Sequence, residues 1–401
     1  MNSARRRDSG AALIVALFAL VILTALAVVF TGTARTDVLL AGTRAAQVQA
    51  LRAAQSGIYY GRTLLAEDDP DVDSTDEDWA LAWEETPPLD IPGYTVEVAL
   101  SDESGRLNVN TATSEMLLAL PGMTEEAADS ILDWRDSDDE PRAWGVESDY
   151  YESLASPYDA ANEEFQTLDE LRLVRGVTQA IWEGDGTEES PGLRDLITVR
   201  SGEANSDSEG MPRLNINTAG TDELSARLGD LLGPEAIASL ERRRRSSRLT
   251  SLGDTLSVQG VPWQSMALAL DRICLNDETF VEGTVNVNTA SQPVLEAVGL
   301  PSEAAQAIIE RRADEPFKTK GELADLTGVD QDVMRAVADV IATKSSVFRV
   351  TARAQPETRP LASAVVALLD RSADPAGIIL WREVFGDEAR TFGAEEQGRG
   401  A

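Results

Sequence analysis

The chain has 401 residues, 43% of them hydrophobic, with 35 Lys and Arg against 69 Asp and Glu for a net charge of −34. That length and apolar content supply two or three domains with cores of their own, while the negative field opposes binding of phosphate backbones by the chain as a whole and favours divalent cations. The absence of histidine excludes Ser-His-Asp and Cys-His catalysis and the usual histidine zinc sites, and the one cysteine, Cys274, has no second thiol to pair with and reads as structural.

At the N-terminus Arg5, Arg6 and Arg7 precede an apolar run over residues 11–30 that carries no charge, the next being Arg35. At ~1.5 Å per residue such a run spans about 30 Å, the thickness of a bilayer core. A cleaved signal peptide has a shorter apolar region of roughly 7 to 15 residues before a small-residue site. The run therefore reads as a transmembrane helix with the arginines cytoplasmic and everything after Arg35 on the other side. Ala16, Ala19, Ala25 and Ala27 allow close approach of partner helices within lipid. Beyond the membrane, Val38, Leu39, Ala46, Ala50, Ala53, Ala54, Ile58 and Leu65 fit one helical stripe, with no proline before Pro70. One helix is predicted from about Ala11 to Glu67, half in lipid and half against a globular domain.

From Glu67 to Pro92 the many aspartates and Pro70, Pro87, Pro88 and Pro92 predict a polar loop. Residues 94–100 alternate with period two and predict a strand, ended by a turn at Asp102, Ser104 and Gly105. No matching β signal follows until residues 347–354, 362–369 and 378–384, so a sheet is interrupted by an insertion over residues 107–344, and residues 345–385 complete it. Residues 386–401 read as a polar, disordered tail.

The insertion contains a repeat: Leu107-Asn108-Val109-Asn110-Thr111-Ala112, Leu214-Asn215-Ile216-Asn217-Thr218-Ala219 and Val285-Asn286-Val287-Asn288-Thr289-Ala290. Thr113, Gly220 and Ser291 then stand at helix N-cap positions, with Leu117, Leu224 and Leu295 five residues after each alanine. Turns at Pro121-Gly122, Gly233-Pro234 and Leu300-Pro301 lead to second helices, so helix-hairpin-helix units are predicted near 107–135, 214–245 and 285–344. Between them Asp136, Asp138, Asp139, Glu140, Glu147 and Asp149 form an irregular acidic segment. It admits two readings, a solvated loop or a source of hard oxygens for calcium, which takes 6 to 8 of them. The run Arg242 to Arg245 with Arg248 likewise reads as a solvated helix face or as a docking site for an acidic partner.

Three resemblances rest on these residues. The basic leader ending in Gly10, the apolar start at Ala11 and the continuous helix resemble the type IV pilin and pseudopilin family, which implies a prepilin peptidase cut between Gly10 and Ala11. The fifth residue after that cut is Val15 rather than the family's glutamate, a departure shared by the minor pseudopilin K family of type II secretion systems. Residues 132–142, 147–151, Pro157-Tyr158, Asn162 and the run 167–176, which reads TLDELRLVRG, are similar to that same family. The third repeat resembles ComEA-like helix-hairpin-helix proteins of DNA uptake. None of its hairpins keeps the glycine pair of DNA-binding members, however, and residues 301–344 hold six basic against nine acidic side chains.

The resemblance implies an α+β fold, in which a pilin-type transmembrane helix packs on a small antiparallel sheet interrupted by a mainly helical insertion. It implies a non-enzymatic subunit, single-pass in the bacterial inner membrane, with the N-terminus cytoplasmic and the bulk periplasmic. The implied partners are the other minor pseudopilins, I and J, the major pseudopilin, the prepilin peptidase and the inner-membrane assembly platform. Calcium in the helical insertion is the one cofactor implied. The alternative is a membrane-anchored DNA receptor of the ComEA kind. No nucleophile elbow, phosphate loop or metal-histidine motif favours an enzyme.

Overall fold

One helix, α1 (Ala4–Glu67, 64 residues), sets the long axis of the molecule. The structure is a computed structural model and describes residues 4–82, 89–187, 190–358, 361–373, 376–385 and 389; the predicted tail over 386–401 lies outside these apart from Ala389. Residues 11–49 of α1 are exposed almost throughout, Phe18 and Phe30 included, and none of the apolar stretch is buried. An apolar surface of that size is unstable in water and fits lipid or partner helices. Lower down, Ala50, Ala53, Ala54, Gly57, Ile58, Gly61 and Leu65 recur every three or four residues and face the sheet. Val38 and Leu39, from the same predicted stripe, stay exposed.

The sheet has four antiparallel strands in the order β1 (Tyr94–Asp102), β2 (Val347–Pro356), β3 (Ser363–Asp370) and β4 (Gly377–Phe385), with a bulge in the β3–β4 register at Leu368/Leu369. A helix can lie this close only where side chains vanish. A Cβ on Gly57 would come within 2.6 Å of Ala352 Cβ, and one on Gly61 within 2.7 Å of Val350 Cγ1. The core between them is made by Ala53, Ile58, Leu65, Val96, Val98, Phe348, Val350, Ala352, Val365 and Leu369.

The segment expected to be a polar loop is an anchored one. Asp73 and Ser74 are buried, and a short helix (Asp78–Leu81) sets Trp79 edge-on to Phe348 at 5.1 Å between ring centroids. Arg371, just after β3, holds both Asp68 and Asp73 at 2.6 Å. Burial pushes the Asp73 carboxyl well up despite that arginine.

The insertion enters and leaves the sheet at paired residues, Asp102 opposite Phe348, so it closes on itself without parting the strands. It has its own core, from Leu107 to Ile341. It sits at the end of the sheet remote from the bare half of α1. The near end is marked by Tyr94 Oη donating to Gln49 Oε1 (2.9 Å) and Ser363 Oγ to Gln47 O (3.4 Å), and the far end by Arg371 on Asp68. Short strands inside the insertion, unforeseen in the sequence, pair two residues at a time in parallel: Leu107–Asn108 with Ile197–Thr198, Leu214–Asn215 with Ile273–Cys274, and Val285–Asn286 with Ile341–Ala342. The first two units thus run on beyond residues 135 and 245 to these closing strands.

Gly57→Val should lower the unfolding free energy of the full chain in detergent by about 1 to 3 kcal/mol through overpacking, read from denaturant titrations. Gly32→Val, where a Cβ meets nothing within 4 Å, should leave the titration unmoved.

Candidate functional site

Each repeat is organised by its second asparagine. Asn288 Oδ1 accepts from Phe317 N–H (2.8 Å), and its amide donates to Phe317 O (2.9 Å) and Thr343 O (3.2 Å). Asn110 does the same with Phe165 N–H, Phe165 O and Val199 O (2.8, 3.0 and 3.0 Å), and Asn217 with Leu249 N–H, Leu249 O and Leu275 O (3.0, 3.1 and 3.3 Å). The first asparagines, Asn108, Asn215 and Asn286, accept from the backbone N–H two residues on, at 2.9 to 3.0 Å, which bends the chain into the first helix. Of the threonines, Thr289 Oγ1 donates to Asp102 Oδ2 at 2.7 Å, Thr111 Oγ1 to Asn108 O at 3.4 Å, and Thr218 is exposed.

Helix pairs Ser114–Ala119 and Glu125–Arg135, Thr221–Leu228 and Pro234–Ser246, and Gln292–Ala297 and Ser302–Arg312 follow, their first members capped by Thr113, Gly220 and Ser291. An arginine at the end of each second helix reaches back to the repeat. Arg135 donates to Val109 O and Ala112 O, Arg244 to Ile216 O, and Arg312 to Val287 O and Ala290 O. The sequence signal for it, an arginine 22 to 25 residues after the final alanine of each repeat, escapes notice because Arg244 is hidden in a run of like residues. After each pair comes a 3-10 turn, a positive-φ glycine (Gly176, Gly260 and Gly328, φ 80 to 84°) and the helix that leads to the closing strand.

The third unit is welded to the sheet. Asn286 Nδ2 donates to Asp102 Oδ2 (2.9 Å) and to Asp73 O (3.0 Å). Burial pushes the Asp102 carboxyl up, against the hydrogen bonds that favour its charged form. Glu103 beside it is held low, because Arg349 and Arg106 outweigh its burial.

Of the six acidic candidates the structure gathers three. Asp136, Asp138 and Glu147 each bring a carboxylate oxygen within 4.8 Å of the others. Glu147 is 7% exposed, and among the described residues neither of its oxygens has a hydrogen-bond partner, nor do buried Asp136 Oδ1 and Asn162 Oδ1. Burial first, then Asp133, Asp136, Asp139 and Asp138, push the Glu147 carboxyl up to about 7. Arg142 Nη1 bonds Asp133 Oδ1 (2.6 Å) and Asp136 Oδ2 (2.5 Å), leaving Glu147 without a cation. Asp139 accepts from the Asn162 amide at 3.1 Å, while Glu140 and Asp149 are exposed and stand apart from the cluster. Three carboxylates this close, with both Glu147 oxygens and Asp136 Oδ1 buried and unsatisfied, suit a hard divalent ion with oxygen ligands. A second acidic group, Asp68, Asp73 and Glu77, is already met by Arg371, Trp79 Nε1 and the Ser74 and Ser345 amides. Gly10 and Ala11 lie inside α1, with Ala11 exposed. Cys274 is buried, and burial pushes its thiol up.

Asn288→Leu strands three buried backbone groups at about 1 to 3 kcal/mol each and should cost the chain several kcal/mol in denaturant titrations. Asn217→Leu should cost less, because Asn217 is half-buried and its groups can turn to water.

Family models described as type II secretion system (T2SS), protein K, match residues 99–184 and 285–344, the first and third units. The chain is 34% identical over 121 residues to the type II secretion system protein K of Pseudomonas aeruginosa, covering 26% of this chain and 36% of that one. It is 29% identical over 182 residues to the endonuclease/exonuclease/phosphatase family domain-containing protein 1 of Rattus norvegicus, covering 42% of this chain and 27% of that protein. The chain spans well under half the length of these relatives. A crystal structure of the GspK-GspI-GspJ complex from enterotoxigenic Escherichia coli holds a chain with 16% identity and a TM-score of 0.48, over 87% of this chain and 99% of that one. Models of one secretion-system subunit thus match in chain order on either side of the second repeat, and over these segments the chain is similar to type II secretion system protein K.

Proposed function

We propose that this chain is a minor pseudopilin that joins the I and J subunits, the counterparts of the GspI and GspJ found with GspK in the solved complex, at the tip of the pseudopilus. There it initiates assembly and aids export of folded proteins across the outer membrane. The observation that carries the reading is α1 itself: one unbroken helix, bare over its apolar half and packed on a sheet over the rest. Prepilin peptidase cuts between Gly10 and Ala11. The freed helix then packs against partner helices in the inner membrane, with the N-terminus cytoplasmic and the body periplasmic. The major pseudopilin and the inner-membrane assembly platform complete the partner set. The position of the insertion, beyond the end of the sheet remote from the membrane half, suits a subunit that caps a filament. The role is structural rather than enzymatic. The DNA-receptor alternative is opposed by the net charge of −34.

In the same reading the cluster of Asp136, Asp138 and Glu147 takes calcium, its charge offsetting the mutual repulsion of the carboxylates and staking the loop between the first unit's helices. Glu147 titrates at about 7 folded against 4.5 ordinarily. The folded chain therefore holds an extra proton between those values, and stability without a cation falls as pH rises through them, the penalty being complete above about 7. A bound cation needs the ionised carboxylate and opposes that trend.

Two measurements follow. Intact mass of the membrane-extracted protein should fall by residues 1–10 when prepilin peptidase is co-expressed; an uncut chain, or a cut after the apolar run, would sink the pseudopilin reading. In chelator, melting temperature should decline from about pH 5 to pH 7 and level off above that, and calcium should raise it most at the higher pH. Glu147→Gln should abolish the calcium response and shrink the pH trend, leaving what other shifted groups contribute, among them Glu77, which burial also pushes up to about 7, and buried Asp73. An undiminished response in that variant would remove Glu147 from the site.

A further inference from the structure

The three units align on the arginine that bonds the repeat's carbonyls, and around it they differ in charge. Two residues before, one after and four after stand Asp133, Asp136 and Asp139 in the first unit, but Arg242, Arg245 and Arg248 in the second; the third has Glu310, Ala313 and Pro316. The place that gathers carboxylates in one unit gathers guanidinium groups in the next. Arg244 of the run is the one that reaches the repeat, on Ile216 O at 2.9 Å. Arg242 and Arg248 are exposed, and the Arg245 side chain keeps 71% of its surface while touching Glu241 at 3.3 Å. Among the described residues Arg242, Arg243 and Arg248 make no ion pair; Arg242 bonds Ser239 Oγ and Arg243 bonds Ser247 O. The helix dipole favours cations in its last turn, yet Arg248 lies past the helix end at Ser246. A shallow cavity of about 310 Å³, lined by Glu235, Ala238, Ser239, Arg242 and Gly260, opens beside the run.

We propose that this helix end is a docking surface for an acidic segment of a partner protein, whose carboxylates pair with Arg242, Arg243, Arg245 and Arg248. Five arginines stand against one glutamate over residues 241–248 of a chain that is otherwise strongly acidic. At physiological salt a charge is felt over only about 8 Å, so the patch acts on what touches it while the rest of the surface repels long polyanions. That favours a short run of Asp and Glu over a nucleic acid. The planar fork of arginine pairs with carboxylates through two parallel hydrogen bonds. The inference stands on the second unit alone and does not depend on the calcium or the pseudopilin reading.

The test uses the full chain in detergent and fluorescent oligoglutamate, oligolysine and single-stranded oligothymidine probes, with anisotropy read across a salt series. Wild type should bind oligoglutamate near physiological ionic strength, where the acidic remainder of the chain is screened, and release it as salt rises further, with no binding of oligothymidine at the same protein concentration. Arg242, Arg243, Arg245 and Arg248 all changed to Glu should weaken oligoglutamate at least tenfold; all changed to Lys should keep part of the affinity. Should the quadruple reversal fail to fold, Arg248→Glu alone, outside any helix, should give a smaller loss in the same direction. Failure of wild type to bind oligoglutamate at physiological salt, or binding undiminished by the reversals, overturns the proposal. So does oligothymidine binding tighter than oligoglutamate with the same arginine dependence, which assigns the patch to nucleic acid.

Discussion

The insertion depends on one side-chain amide used three times. A carboxamide offers one oxygen and two N–H groups in a plane, and Asn110, Asn217 and Asn288 each spend all of them on backbone: one N–H accepted, two carbonyls satisfied. The amide thus stands in for a neighbouring strand. Bridges of two residues are too short to persist alone, and helices of 4 to 13 residues are marginal at best as isolated helices in water. Closing each unit from within by a fully satisfied polar group, buried outright in the third unit, lets these short pieces form a core. The arginines that return to the repeat carbonyls beside each asparagine complete that closure.

Identical frameworks then diverge at their edges. The first asparagine of the repeat points its amide at Asp102 in the third unit and at Asp277 in the second, while in the first unit Asn108 Nδ2 is buried with no partner among the described residues. Only the third unit is thereby bonded to the carboxylate at the end of β1. Glu203, at the rim of the second unit, is bonded twice by Arg213 and approached by buried Lys320 at 4.0 Å. Burial and Arg213 together bring that lysine down to about 8. A chain of net −34 therefore spends several of its scarce cations inside, at seams between units, which is why the exposed arginines of the second unit stand out.

Much of this was legible in the sequence. The period of α1, the four strands, the three repeats and the caps Thr113, Gly220 and Ser291 all follow from local pattern. The closing strands of the first two units, 89 and 58 residues beyond the asparagine they meet, were not, since two-residue bridges leave no periodicity. Nor was the burial of Asp73, because a carboxylate in an aspartate-rich stretch looks solvated until Arg371, distant in sequence, arrives. Among the acidic candidates, spacing alone could not tell Glu147, whose oxygens turn inward, from Glu140 and Asp149, whose side chains reach solvent.

The sheet explains how so large an insertion is tolerated. Asp102 and Phe348 are register partners, so the chain leaves and returns at adjacent points and every strand pair stays intact. Because that junction lies at the same end as the Arg371–Asp68 pair, the added mass extends away from the Gln47 and Gln49 contacts that mark the side of the bare apolar half of α1. The apolar half of α1 is left bare along its length, and the opposite end of the molecule is occupied by three packed units. A helix bare at one end and a broad body at the other are thus set by where the chain leaves and re-enters one intact strand pair.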